Sequence, residues 1–428
     1  MMDSRIYFLP GDEKMLKMKK LLALVLALTM VSCCALAEKV SVDKDEYESL
    51  QKYEKLEEIL QVIDAAYLWD YDVDELLEGA AQGMIGALGD EYSYYYTAAD
   101  VTDAEESYTG QYGGLGIEVF ANANDLTITI RRVFYGSPAQ EGGLRPNDKI
   151  IAVNGEDLTA YDLNKAVSVM RGEVGGEVTL TILRESEVFD VTLTRAIVET
   201  QIIDSEVLDG NIGYIRVHYF EGNLDTQFQN TVEEFQKTGV KGLVIDLRDN
   251  GGGYVDLATA VADIFIDDDV IFSSKDKYGR KLAYYADPGA WDIPVVLILN
   301  KYSASASEIL AGALRDSAGA ELVGTVSFGK GIMQSVYTFS DGESGMQTTS
   351  EYWYTPGGEC IHGEGLKPDV EVELPEDALD ENFNIIREKD TQLQAAVAEI
   401  EKMLAGETAD APEAAATDSP EVATKDAA

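Results

Sequence analysis

Residues 301–334 read "KYSASASEILAGALRDSAGAELVGTVSFGKGIMQ". The run before them, "IPVVLILN" (293–300), is almost continuously apolar, which suits a strand buried on both faces. A helical pattern begins near Ser307, with Glu308 in its first turn. Strand, short turn and helix recur nearby. "GYIRVHYF" (213–220) and "GLVIDLR" (242–248) read as further strands, and "LDTQFQNTVEEFQKTG" and "YVDLATAVADIF" as helices. That alternation places residues 198–375 among α/β folds with a sheet covered on both sides.

The alternating serines Ser303, Ser305 and Ser307 raise the question of a nucleophile. Serine caps helices, so Ser307 with Glu308 beside it also reads as a plain cap. The same helix start would steady an oxyanion through its free N–H groups. A nucleophilic serine needs a base. The chain has two histidines, His218 in an alternating strand and His362 in the glycine-rich loop "GECIHGEG". No Gly-x-Ser-x-Gly elbow surrounds any of the three serines. A lysine serves if burial lowers its pKa, and Lys330 in "TVSFGKGIMQSVYTF" is the candidate. Gly329 and Gly331 allow close backbone approach. Val326, Phe328, Ile332 and Met333 are expected to keep the amine dry, and Gln334 to accept from it and aim it.

The 428 residues carry a formal charge of −45, which argues against nucleic acid as a partner. Hydrophobic residues make up 46%, enough for two or three cores. "MKKLLALVLALTMVSCCALA" (18–37) has two lysines, an apolar run and small residues before Glu38, the pattern of a secretory signal. Met15 or Met18 then reads as the true start, and residues 1–37 as the signal. An uncleaved signal, or a lipid on Cys33 or Cys34, would instead tie the protein to a membrane. Cleavage after Ala37 leaves Cys360 alone, without an intrachain disulfide. The expected location is extracytoplasmic, secreted or held at the cell envelope. Residues 38–103 are read as a helical domain for packing or homodimerisation, with Leu50, Tyr53, Leu56, Ile59, Leu60 and Ile63 near one face. Residues 376–405 form a C-terminal helical segment, and 406–428 an acidic tail too poor in apolar residues to order itself.

The stretch 303–334 resembles the core signature of the carboxyl-terminal processing peptidases, PDZ-containing serine proteases with a Ser–Lys dyad. The resemblance makes the middle serine, Ser305, the nucleophile. It makes Lys330, 25 residues on, the general base and Gln334, four further, its partner. "DLRDNGGGYVDLA" resembles the family's oxyanion turn. By register the donor is Gly252, with Gly251 or Gly253 as alternatives, and the second donor is the N–H of Ala306. The family usually has proline where Gly251 stands. "ALGDEYSYYY" resembles the family's N-terminal segment, with departures at Gly89 and Glu91. The implied core is crotonase/ClpP-like, and no cofactor or metal is implied.

Residues 104–197 resemble an inserted PDZ domain. In "GGLGIEVF", Gly114, Leu115, Gly116 and Ile117 would offer N–H groups to a terminal carboxylate, and the peptide would add as a strand. Arg171 is a long cation entering a loop, which reads either as a link from this module to the core or as solvated surface. "GTVSFGK" (324–330) also fits the start of a phosphate-binding loop, but Gly331 stands where that motif needs Ser or Thr. The expected function is an exported serine endopeptidase acting on proteins or peptides with free C-termini. The alternative is an inactive PDZ scaffold of the same fold.

Overall fold

The computed structural model describes residues 43–380 and 384–406. The signal-like segment, Cys33, Cys34 and the tail from 407 onward lie outside the described residues. The chain divides into two compact units, one ending at Leu76 and the other beginning at Leu77.

In the first unit, helices span Lys44–Leu50 and Glu54–Ala66, joined by a single tight turn at Gln51–Tyr53. The expected apolar face is there in spacing but not in burial. Leu56, Leu60 and Ile63 are half-buried, whereas Leu50, Tyr53 and Ile59 face solvent.

The core of the second unit is a six-stranded sheet in the order Ile203–Leu208, Ile212–Val217, Gly242–Asp246, Val295–Leu299, Glu321–Gly324 and Val370–Glu371. The first pair is antiparallel and every later pair is parallel. Side chains alternate across it, as the twofold repeat of a strand requires. Leu243, Ile245, Leu297 and Leu299 pack on one face beneath helices Leu224–Thr238, Val255–Asp263 and Ala306–Ala318. Val244, Val296 and Ile298 pack on the other, beneath Leu393, Ala396 and Ile400 of the helix Thr391–Ala405. The expected two-sided cover of these apolar strands is thus present, and the C-terminal helix supplies half of it.

A second, antiparallel sheet runs alongside, built on the long strand Gly345–Tyr354 with Val270–Asp276, Lys281–Tyr285 and Ile332–Thr338. Its edge is Tyr94–Tyr96, paired with Gly345–Gln347. The segment 38–103 is therefore not wholly helical, because three consecutive tyrosines, which favour an extended pleat, complete this sheet.

The inserted β-rich module has its own sheet, in the order Ile117–Asn122, Thr127–Val133, Lys149–Val153, Glu177–Arg184 and Glu187–Thr194. It closes on its own core of Ile128, Ile130, Ile150, Val178, Leu180 and Ile182. The strand Ile117–Asn122 is an edge, free to pair on one side.

Candidate active site

Three neighbouring parallel strands end on one side of the sheet. After Gly242–Asp246 comes the turn 247–254, after Val295–Leu299 the serine loop, and after Glu321–Gly324 the loop carrying Lys330. Crevices at the carboxyl ends of parallel strands are where open α/β sheets hold ligands. No helix follows Gly324–Lys330, because the chain continues as the strand Ile332–Thr338. The loop therefore lacks the helix start that a phosphate cradle needs.

The structure separates the three serines. Ser303 is buried; its hydroxyl donates to Leu247 O at 2.8 Å and accepts from Asn300 N at 2.9 Å. Ser307 is buried and donates to Asn250 O at 2.9 Å. Both tie the serine loop to its neighbours, so Ser307 is a stitch between loops rather than the helix cap. The cap position belongs to Ser305. Among the described residues, the Ser305 hydroxyl meets only the Glu308 N–H, in the capping box that starts the helix, and donates to no acceptor. Its backbone sits at φ 56°, a region a non-glycine residue occupies at a cost and seen mostly at functional positions. The helix begins at Ala306, whose N–H likewise has no acceptor among the described residues.

The turn 250–253 lies directly against this serine. A Cβ on Gly252 would come within 2.8 Å of Ser305 Cβ and 2.9 Å of Ala306 N, so only glycine fits there. Asn250 clasps the two loops. Its side chain donates to Val217 O at 2.8 Å, and its carbonyl receives Ala304 N at 3.0 Å. The same side chain accepts the Gly252 N–H at 2.9 Å. The donor expected by register is thus already engaged, while Gly251 and Gly253 on either side have N–H groups without acceptors among the described residues. Farther back, Arg248 is buried between Asp246 and Asp390, at 2.6 and 2.8 Å. Burial alone would raise the Asp246 carboxyl, but the Arg248 charge and hydrogen bonds overcome it and hold the group well below the carboxylate range. The C-terminal helix thereby anchors the turn through its capping residue Asp390.

Glu308 joins the serine loop to the lysine loop. One carboxylate oxygen accepts Ser305 N and Lys330 N, both at 2.9 Å. The other accepts Gly329 N at 2.7 Å and Ser327 Oγ at 2.5 Å. Burial raises its pKa, and those four donors partly offset the rise. The sequence reading gave Glu308 only a helix-start role. The signal that could have found it is the Ser-x-x-Glu spacing of a capping box, here drawn around Ser305.

Lys330 is half-buried. Burial lowers its pKa, opposed by the charges of Asp90, Glu308 and Glu91. Its amine lies 4.4 Å from the centre of the Tyr92 ring. Among the described residues it makes no hydrogen bond to Ser305 or to Gln334. Gln334 instead donates to Thr349 Oγ1 across the hairpin, at 3.5 Å. The expected dry wall also differs. Phe328 and Val326 are 52% and 37% exposed, and both line the groove beside Ala304 and Gly251. Ile332 is buried and Met333 packs on the main core. Alternation along 326–330 turns Val326 and Phe328 outward while Ser327 and Gly329 point in to Glu308.

Neither histidine meets Ser305. His218 Nε2 pairs with Asp204 at 2.7 Å, and the His362 ring packs edge-on against Tyr352. The groove that His218 borders holds about 1430 Å³ and runs between the core and the β-rich module, with Arg131 and Arg132 contributed from the latter.

In the module, a smaller groove of about 320 Å³ lies between the edge strand and the helix Leu163–Met170. Leu115, Gly116, Ile117, Phe134, Val167 and Met170 give it apolar walls. Gly116 has φ 76°, and a Cβ there would collide with Ser137, so the loop needs glycine twice over. Arg171 pairs with Glu106 at 3.3 Å and lies over the Tyr112 ring at 4.6 Å, partners at the base of its own module.

The model of peptidase family S41 matches residues 211–372, that of the PDZ domain 107–183, and that of the activating protease CtpB N-terminal domain 28–99. A relative from Staphylococcus epidermidis named as a CtpA-like serine protease is 32% identical over 372 residues, covering 86% of this chain and 74% of the relative. A Staphylococcus aureus relative of the same name is 34% identical over 353 residues, covering 81% and 70%. A solved structure from Bacteroides fragilis named as an S41 protease superposes with a TM-score of 0.52 at 19% identity, covering 80% of this chain and 92% of that one. At that identity the likeness concerns the fold.

Proposed function

From the premise that the chain belongs to peptidase family S41, and is a serine-type peptidase with a PDZ domain, we propose that Ser305 and Lys330 form its catalytic dyad. Ser305 Oγ attacks the scissile carbonyl as the neutral Lys330 amine takes its proton. The carbonyl oxygen becomes an oxyanion, received by the N–H of Ala306 and an N–H of the Gly251–Gly253 turn. Gly252 serves there only by sharing the N–H it gives Asn250. Lys330 then returns the proton to the leaving amine, and water hydrolyses the acyl-serine. The observation that carries this reading is the contrast within the triplet: Ser303 and Ser307 donate to backbone carbonyls, whereas Ser305 is strained and its O–H has no acceptor among the described residues, beside a free helix N–H. Lys330 must swing from Tyr92 toward Ser305 to act.

The PDZ groove, with its free edge strand, would take a substrate's apolar C-terminus, and the large groove would lead the chain to Ser305. The segment 18–37 supports an exported protein whose mature chain starts at Glu38, which its N-terminal sequence would check. The test compares an unfolded substrate ending in a free apolar carboxylate with the same substrate amidated. The wild type should cleave the free form several-fold faster, and Ser305→Ala should bind the free form more tightly than the amidated one and cut neither. A wild-type protein that binds tails and leaves them whole would be the scaffold instead. Equal rates on both forms would mean the loop does not read the carboxylate.

A further inference from the structure

We propose that Tyr92 is a positioning residue for the general base: its ring covers the Lys330 amine, keeps water from it and fixes where it rests between turnovers. This rests on the Ser305–Lys330 reading above.

Both ends of the Lys330 side chain are held. At its root, the backbone N–H is bound to Glu308 and the carbonyl accepts the Trp353 indole at 2.9 Å. At its tip, the ring of Tyr92 is the described contact of the amine. That ring stands on a braced turn. Asp90 accepts Tyr92 N at 3.1 Å and Ser93 Oγ at 2.5 Å. Ser93 Oγ in turn receives Thr349 N at 3.1 Å, and Gln347 donates to Tyr92 O at 3.2 Å. The adjoining strand Tyr94–Tyr96 then pairs with Gly345–Gln347. The turn thus docks on the strand that also faces Gln334, so one support sets the ring, and through Thr349 the glutamine.

The ring acts on the amine in two opposing ways. Its face attracts an ammonium, as aromatic faces do. Its bulk also excludes water, which disfavours the charge. The groups facing the amine are Asp90 and Glu91 from the same turn and Glu308 from the nucleophile helix, and all three favour the charged form. Burial nevertheless prevails and the pKa is lowered. Val326 and Phe328 turn outward, whereas the Tyr92 ring lies on the amine itself, so the ring is part of that burial. Without the ring, water returns while the three carboxylates remain, so the lysine pKa rises. At a fixed pH below it, the neutral fraction falls, and the rate limb governed by Lys330 moves to higher pH.

The experiment is the pH dependence of kcat/KM for peptide cleavage by the full chain, for wild type, Tyr92→Phe, Tyr92→Leu, Tyr92→Ala and Lys330→Arg, with melting temperatures measured alongside. Tyr92→Ala should move the limb up by about one pH unit, a loss of about tenfold at neutral pH that alkaline pH restores. Tyr92→Phe should keep the wild-type limb. Tyr92→Leu, which is apolar cover without a ring face, should hold it at or below that position, and it serves if the alanine variant fails to fold. An unmoved limb in Tyr92→Ala, or a phenylalanine or leucine variant displaced upward, overturns the proposal. Lys330→Arg separates the two readings. Turnover there sinks the dyad itself, whereas a dead Lys330→Arg beside an unmoved Tyr92→Ala sinks only the role of Tyr92.

Discussion

Ser305 and Lys330 are held in opposite ways. The loop of Ser305, the proposed nucleophile, is fixed through backbone, by Asn250, Ser303, Ser307 and Glu308 within the α/β core, and its O–H has no acceptor among the described residues. Lys330, the proposed base, is fixed at its root in the same manner, but its amine rests on a ring from far upstream in the chain. A nucleophile must be aimed before substrate arrives. A lysine base must be kept dry and then released to move. The difference teaches that one half of the site is stored in the fold and the other is completed by docking of the segment 90–96.

The comparison breaks most readily at Glu308, the group common to both halves. Glu308→Gln keeps the size but turns one acceptor into a donor, facing either Ser305 N and Lys330 N or Gly329 N and Ser327 Oγ. Leaving buried donors unpaired costs about 1–3 kcal/mol. Displacing both catalytic residues should lower kcat by about 10- to 100-fold, with KM changing less. A variant with wild-type kcat would mean that the two loops hold their geometry without this carboxylate.

A smaller effect sharpens the contrast within the triplet. Ser307→Ala loses one buried hydrogen bond and should cost about 1 kcal/mol in a melting or denaturant experiment. Ser303→Ala should cost more, because Asn300 N also loses its acceptor. Both should retain kcat within a few-fold, since neither hydroxyl reaches the reaction. Loss of turnover in either variant at unchanged stability would move the nucleophile away from Ser305.

Much of this was legible because the information is local. The strands 213–220, 242–248 and 293–300 showed as apolar runs, since a sheet covered on both faces needs apolar side chains at every position. The spacing from Ser305 to Lys330 spans one helix and one short strand, so it survives as a fixed interval. What sequence did not disclose depends on distant chain. The alternation of 326–330 does not say which residues face the groove, so of the four expected in the dry wall Val326 and Phe328 turn outward while Ile332 and Met333 pack inward, and the ring on the amine is that of Tyr92. The expected donor Gly252 was read by register, which cannot show that Asn250 already accepts its N–H. Asp390 and Arg248 meet only because the C-terminal helix covers the back of the sheet. The tyrosines at 94–96 became a strand because an edge of the second sheet was available to them.

The most direct test of the dyad is the pH profile of peptide cleavage in three forms of the full chain: wild type, Lys330→Arg, and a double variant with His218→Gln and His362→Gln. Burial lowers the Lys330 pKa, so wild-type activity should rise with pH through one ionisation placed below that of a free lysine, as the amine loses its proton. The double variant should keep that profile, and Lys330→Arg, which cannot shed its charge, should be dead at every pH. A dead double variant beside an active Lys330→Arg would contradict the account and return the search for the base to the histidines.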